Sequence, residues 1–235
     1  MEINLSLNQR IFKIRTTLFF LIGSTLQAMA FIPLNFLLPE LFQGVRGSTP
    51  LGSGVQLLPF ACCVAWSTVV AGQINTRLHI MRPLVWFGFS VSALGFGLMC
   101  RFFRYPFSVA LEVGLTSMTA IGIGLSLAVP MLIMQAAMPL KEMASTTAAW
   151  QLSRAMGGSV GFAVYSAILN SSIRSKFSQI PGYGVAFMAP SNAADYAALH
   201  ALLDDTVKEA VLVALTDSFA SCWMVACGLL LAALA

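Results

Sequence analysis

The sequence predicts an all-α integral membrane protein that crosses the bilayer six times. Hydrophobic residues make up 58% of the 235-residue chain, whereas only 9% of its residues are charged, and the mean hydropathy is +0.82. Ordinary globular domains carry about 25% charged residues, so this chain has too few charges to cover a surface in water. Apolar runs of about 20 residues, the length that spans a bilayer, also recur along the chain.

The first three predicted spans cover about 16–40, 55–76 and 83–100, and they contain no charged residue apart from Glu40 at the end of the first. Residues 1–15 precede them and contain three cations close together. The Lys and Arg residues of the loops divide evenly between the two sides, so their balance does not decide the orientation, but the cluster ahead of the first span favours an N-terminus inside. We therefore expect residues 1–15 to form a cytoplasmic N-terminal segment.

The next two predicted spans contain one charged residue each. The fourth covers about 107–138 and contains Glu112, and the fifth covers about 144–173 and contains Arg154. Ionisable residues inside membrane spans are rare and mark functional positions more often than surface charges do. Both residues are therefore candidates for a functional role.

The C-terminal part is predicted as a loop followed by a last span. Residues 174–210 read as an extracytoplasmic loop, because Pro, Gly and small polar residues come first and an amphipathic, interfacial helix follows. The sixth span covers 211–235 and contains Asp217.

A stripe of polar residues marks one face of the fourth span. Its members recur at spacings of four, four, three and seven residues, which places them on one side of a helix: Ser108, Glu112, Thr116, Thr119 and Ser126. Such a face is expected to point into the helix bundle or an aqueous cavity rather than into lipid. Glu112, with Thr116 and Thr119, then belongs to a proton or substrate pathway, or Glu112 is an interfacial charge near the outer surface.

The two other intramembrane charges leave alternatives open. Arg154 reaches lipid headgroups by snorkelling, or it pairs with a carboxylate or a polar ligand group, and we expect a structural or gating role. Asp217 shares a helical face with Ser221, Met224 and Gly228, which predicts a stripe pointing inward. Asp217 is accordingly a pathway candidate or an interfacial residue.

Uncharged amides and glycines complete the candidate residues. The amides Gln27, Asn35 and Gln135 lie within spans, where they line a cavity for organic molecules or form hydrogen bonds between helices. The glycines are predicted to let helices approach closely, and they are Gly122 and Gly124 in the fourth span and Gly157, Gly158 and Gly161 in the fifth.

Several functional classes lack the residues that they need. The glycine-rich "GVRGSTPLGSG" has no Lys for a phosphate-binding loop, so we interpret it as a turn outside the membrane. Ser159 in "GGSVG" fits a nucleophile motif, but the motif needs a His base, and both histidines, His79 and His200, lie in predicted loops rather than in spans. We expect no enzyme, no cofactor, no metal site and no nucleic-acid partner.

The order of several short motifs resembles one transporter family. "LPELFQGVRGSTPLGSGVQLLP" is followed by "GIGIGLS", "MQAAMP", "STTAAWQLSRAMGGSVG" and "ALTDSF". In this order the motifs resemble the C-terminal half of fourteen-helix major facilitator superfamily transporters, the drug:proton antiporter branch common in fungi. Glu40 departs from that pattern, because the family usually has an apolar residue there.

The resemblance implies a six-helix bundle with the N-terminus inside and residues 44–54 outside the membrane. It further implies a substrate cavity between two halves, alternating access and coupling to protons. Expected partners are the lipid bilayer, a small organic substrate, protons, and a missing N-terminal half, a second copy or another subunit. We expect the plasma membrane rather than a vacuolar or other internal membrane.

The sequence therefore favours half of a proton-coupled efflux transporter for small organic compounds, of the drug or secondary-metabolite type. We expect the half-transporter, as this shorter chain, to be inactive by itself. The alternative is a non-transporting membrane module that assembles with other helices or subunits.

Overall fold

A computed structural model describes residues 15–78, 81–105, 108–136, 138–139, 142–178, 180 and 205–234. Helices account for nearly all of these residues, and no β-strand occurs among them. The helices are α1 (Arg15–Arg46), α2 (Pro50–Leu78), α3 (Met81–Phe102), α4 (Val109–Leu127), α5 (Val129–Ala136), α6 (Met143–Phe177) and α7 (Asp205–Leu234). The predicted all-α membrane fold is confirmed.

Five described helical segments are long and apolar enough to cross a membrane. They are Thr17–Arg46, Pro50–Arg77, Arg82–Phe102, Val109–Ala136 and Lys208–Leu234. The fifth predicted span, 144–173, lies in α6, which is 35 residues long but is not among these five. Its Ser, Thr, Asn and Arg residues make it less apolar than its neighbours.

Two predicted regions fall largely outside the described residues. The cytoplasmic segment 1–15 overlaps them only at Arg15, the first residue of α1. In the predicted loop 174–210, the described parts are the end of α6 with the few residues after it and the first turns of α7.

The helices pack as one bundle in which α1, α3 and α4 have the most extensive contacts with their neighbours. Helix α4 packs against α3 and α2, helix α1 packs against α6 and α7, and α3 also packs against α7. Large buried side chains from α1, α3 and α7, such as Phe42, Phe96 and Trp223, fill the common core. Because lipid is as apolar as these side chains, close packing rather than the hydrophobic effect must hold the helices together.

The turn between α1 and α2 is shorter than the sequence predicts. Helix α1 ends at Arg46, where Gly47 adopts a φ of 63° and donates its N–H to the carbonyl oxygen of Gln43 at 3.0 Å. Helix α2 begins at Pro50, and the Thr49 hydroxyl accepts from the N–H of Gly52 at 3.1 Å. One glycine in the left-handed region and one capping threonine suffice for this reversal. The other glycines of the motif lie in helices, which corrects the broader turn expected over 44–54.

The predicted fourth span, 107–138, is interrupted at Ala128 between α4 and α5. Pro130 explains the interruption, because it has no N–H to donate to the carbonyl oxygen four residues earlier and its ring clashes with that turn. In contrast, Pro33, Pro39 and Pro59 lie inside helices that continue past them.

Glycines set the closest contacts between helices. A Cβ atom at Gly157 would lie 2.6 Å from the backbone oxygen of Thr25, and one at Gly161 would overlap the backbone of Met29. Helix α4 shows the same close approach, where a Cβ at Gly122 would overlap the backbone of Ser92 and one at Gly124 would lie 2.5 Å from the oxygen of Val64. No larger residue fits these positions unless the helices separate.

We expect Gly161→Ala to destabilise the bundle by roughly 1–3 kcal/mol, the usual effect of overpacking. The new methyl group meets backbone rather than a flexible side chain, so α1 and α6 must move apart. Thermal unfolding in detergent micelles measures the effect. Gly228→Ala is the matched control, because no atom of another helix lies within 4 Å of its added Cβ and alanine favours the helix. Equal unfolding temperatures for the two variants would contradict this account of packing.

Candidate functional site

The polar stripe of α4 faces the interior of the bundle. Glu112, Thr116, Thr119 and Ser126 are buried, whereas Ser108 lies at the N-terminus of α4 and caps it by accepting from the N–H of Leu111 at 3.3 Å. Glu112 therefore stands about one turn inside the helix, roughly 6 Å from its capping residue along the axis.

The hydroxyl groups of this stripe are used within α4 itself. Thr116 donates to the carbonyl oxygen of Glu112 at 2.7 Å, and Thr119 donates to that of Leu115 at 2.9 Å. A Cβ at Gly95 of α3 would overlap Thr119, so the two helices touch at this level. The middle of the stripe therefore contacts α3 rather than lining an open cavity.

Glu112 forms an ion pair with Arg46, the last residue of α1. Nη2 of Arg46 lies 2.6 Å from Oε2 of Glu112, and the two side chains are 21% and 2% exposed. At that distance and burial, the charges attract more strongly than they would in water. The pair joins the end of α1 to the first turn of α4. The sequence marks both charges as near the same end of the bundle, but not as partners.

Asp217 lies at the margin of the bundle. Its carboxylate is 36% exposed, and Oδ1 lies 3.9 Å from Nε of the more exposed Arg104. Met224, on the same helical face, is exposed, so the predicted inward direction of this stripe is wrong. The large residues of α7 that pack inward, such as Phe219 and Trp223, occupy the adjacent face.

Two of the three predicted amides connect helices. Gln27 is buried on α1, and its Nε2 donates to the Ser126 hydroxyl of α4 at 2.6 Å. Gln135 of α5 donates to the Thr147 hydroxyl of α6 at 2.9 Å. The third, Asn35, donates to a carbonyl of its own helix and lines a cleft between α1 and α2 with a volume of about 370 Å³.

Arg154 is buried on α6 and faces the bundle. Only 8% of the residue is exposed, and its guanidinium carbon lies 4.9 Å from the centroid of the Trp150 ring, one turn earlier on the helix. A side chain that snorkels to headgroups would extend along the surface instead. The glycines Gly157 and Gly158, one turn later, bring this part of α6 against α1.

A second cleft lies between α1 and α6. It has a volume of about 410 Å³ and is lined by Ile32 and Phe36 of α1 and by Ala155, Gly158, Ser159 and Phe162 of α6. Ser159 donates to the carbonyl oxygen of Ala155 on its own helix and is exposed. One cleft therefore lies between α1 and α2, and the other lies between α1 and α6. The face of α1 between the two clefts is open on both sides.

Comparison with known proteins identifies several transporters similar to this chain, although no family model matches it. The chain is 29% identical over 194 residues to the MFS-type transporter ucsD of an Acremonium species, covering 81% of this chain and 33% of that protein. It is 27% identical over 193 residues to the MFS-type efflux transporter ffsH of Aspergillus flavipes, covering 80% and 33%. It is 30% identical over 161 residues to the MFS-type efflux transporter pyiT of Pyricularia grisea, covering 68% and 27%.

These similarities extend over most of this chain but only part of each relative. The chain spans about a third or less of the length of the curated relatives that it matches. The relatives are named as transporters rather than as enzymes.

We expect the Arg46–Glu112 pair to contribute a measurable coupling free energy to folding. Arg46→Gln and Glu112→Gln should each destabilise the bundle by about 1–3 kcal/mol, because each leaves a partly buried charge without its partner. The double variant should be more stable than the sum of the two effects predicts. A double-mutant cycle of unfolding in detergent measures the coupling.

The matched control is the pair of Arg104 and Asp217, which is more exposed and longer. The double-mutant cycle of this pair should yield a coupling free energy of about 0–1 kcal/mol. Additive effects of Arg46→Gln and Glu112→Gln would show that the two side chains do not act as a pair.

Proposed function

Because the chain is a homologue of fungal MFS-type transporters, we propose that its bundle forms half of a proton-coupled efflux transporter for small organic compounds. The observation that carries this proposal is the similarity over about 80% of the chain to transporters, one of them named an efflux transporter. Transport by alternating access requires two bundles that move around a common site. This chain supplies one of them.

The open face of α1 supports a substrate path on one side of the bundle. Both clefts adjoin this face, with Asn35 in one and the exposed Phe36 in the other. An aromatic and aliphatic lining with a few polar groups is typical of sites for organic molecules. We place the substrate path here, along α1 between α2 and α6.

A second bundle covers this face in the proposed transporter. Helix α2 has the least buried surface of the five candidate spans, and large apolar residues such as Leu51 and Trp66 are exposed on it. The covering helices come from a longer form of the same polypeptide, from a second copy or from another subunit. The plasma membrane is the proposed location, because efflux from the cell requires it.

Glu112 is the proposed proton acceptor of the bundle. Protonation would remove its charge and weaken the contact with Arg46, which links α1 to α4. Proton binding would thereby free the end of the helix that borders both clefts. Thr116 and Thr119 continue the buried face below Glu112, and Asp217 is a second carboxylate, at the margin of the bundle.

The test uses a hybrid transporter expressed in yeast cells. In this hybrid, the chain is joined to those helices of the Acremonium relative that have no counterpart in the chain. We expect efflux of a fluorescent amphipathic dye that stops when a protonophore collapses the proton gradient, and no efflux from cells that express this chain alone. Robust efflux by the monomeric 235-residue chain would contradict the half-transporter. Absence of efflux by a correctly located hybrid would favour the non-transporting module.

Within that hybrid, Glu112→Gln should reduce efflux several-fold and flatten its dependence on external pH. A permanently neutral side chain cannot exchange a proton, whatever its effect on folding. Asp217→Asn serves as the comparison, because it removes a carboxylate that is not enclosed by the bundle. Efflux rates from pH 5 to 8, normalised to the amount of protein in the membrane, measure both. An unchanged dependence of efflux on pH in Glu112→Gln would show that the role of Glu112 is purely structural.

A further inference from the structure

Two hydrogen-bond donors on α6 are buried next to each other without an acceptor. Nη1 of Arg154 and Nε1 of Trp150 are both inaccessible and have no hydrogen-bond partner among the described residues. The guanidinium carbon lies 4.9 Å from the centre of the indole ring, and the two residues are 8% and 7% exposed. Buried donors in folded proteins are nearly always satisfied, so this pair requires an explanation.

The surroundings compensate little of the charge of Arg154. The ion pairs found among the described residues join Arg46 to Glu112 and Arg104 to Asp217, and neither includes it. Contact with the face of the Trp150 ring provides some attraction. Trp150 otherwise packs against Leu21 and Met134, whose side chains carry no oxygen or nitrogen acceptor. An isolated charge in such surroundings is strongly unfavourable unless a partner of opposite charge joins it.

The position of the two donors is fixed by contacts on both sides. The Ser153 hydroxyl is hydrogen-bonded to the Thr25 hydroxyl of α1, and Gly157 lies against the backbone of the same residue. The hydrogen bond from Gln135 to Thr147 holds α5 against α6. Helix α6 cannot rotate to expose Arg154 without breaking these contacts. The donors are therefore held in place before a ligand arrives, which favours binding.

We propose that Arg154 and Trp150 form a binding site for the carboxylate of an organic anion. The planar guanidinium group can hold both oxygens of a carboxylate, and the indole N–H supplies a further donor. Leu21 and Met134 would contact the apolar body of the ligand. This inference rests on the proposed function, and it specifies the exported compounds as amphipathic organic acids.

Access to the site requires movement of α5. This eight-residue helix is separated from α4 by the interruption at Ala128, and it supplies Met134, one of the residues that cover the donors. Opening at this interruption would break the hydrogen bond from Gln135 to Thr147 and uncover the donors, while the glycine contacts between α1 and α6 would hold the rest of α6 in place. A short hinged helix is a suitable cover for a site that must exchange its ligand.

The experiment measures ligand binding to the detergent-solubilised 235-residue chain by thermal unfolding. The probes are benzoate, its neutral isostere benzamide, and inorganic phosphate. We expect benzoate to raise the unfolding temperature in a concentration-dependent manner and the other two to leave it unchanged. Equal stabilisation by phosphate would show a general anion site and overturn the carboxylate assignment, and no effect of benzoate would overturn the site.

Variants test the two donors. Arg154→Gln should weaken the apparent affinity for benzoate by roughly tenfold to a hundredfold, the usual consequence of losing hydrogen bonds to a charged group. Trp150→Phe should weaken it by about fivefold to tenfold. Arg174→Gln, an exposed arginine on the same helix, should bind as the wild type does. Unchanged benzoate affinity in Arg154→Gln would overturn the proposal.

Stability without ligand separates binding from a structural role. We expect Arg154→Met to unfold at the same or a higher temperature than the wild type, because it removes an uncompensated charge. A large decrease in its unfolding temperature would show that Arg154 stabilises the bundle, and would overturn the proposal.

A last comparison concerns the source of the carboxylate. Stabilisation of the isolated chain but not of the assembled hybrid transporter would identify an acidic side chain of the other helices as the partner, and would overturn the assignment to substrate. These measurements do not depend on efflux. A hybrid that exports a dye without this benzoate response refutes only the site, and a chain that binds benzoate in a hybrid without efflux refutes only the transport function.

Discussion

The close approach of helix backbones at glycine positions is the constraint on which this bundle depends. Burial of apolar side chains provides little drive in lipid, so the helices must gain stability from contact at short range. Gly157 and Gly161 bring α6 against α1, and Gly122 and Gly124 bring α4 against α3 and α2. These contacts fix α1 and α4, and both helices carry the polar residues that matter for function.

That packing decides which polar groups are satisfied and which are not. The buried Thr and Ser hydroxyls of α4 donate to carbonyl oxygens of their own helix, so each has an acceptor for its proton without help from another helix. The charged groups cannot do the same. Glu112 meets Arg46 at the end of α1, whereas the described residues leave Arg154 with a tryptophan ring and no acceptor for Nη1. Glu112 and Arg154 therefore have different expected roles, one in linking helices and one in binding.

The arrangement of the helices is consistent with a bundle that packs against a second bundle and moves relative to it. Helix α1 borders two clefts and is held at one end by the ion pair, while α2 exposes large apolar residues. In the proposed transporter, a proton on Glu112 and an organic acid at Arg154 would act on opposite ends of the same group of helices. The contacts of α1 with α4 and α6 connect the two positions.

The sequence by itself determined the membrane class, the approximate positions of the helices and the resemblance to a transporter family, because hydropathy and local motifs are read along the chain. It also placed the stripe of α4 on one face, since helical periodicity is local. Tertiary structure decided the rest: Arg46 as the partner of Glu112, the outward side of Asp217, and the burial of Arg154 beside Trp150. Periodicity groups residues on a face but does not specify which neighbour covers it. Those contacts depend on how the helices cross, which in this bundle is set by where glycines permit backbones to meet.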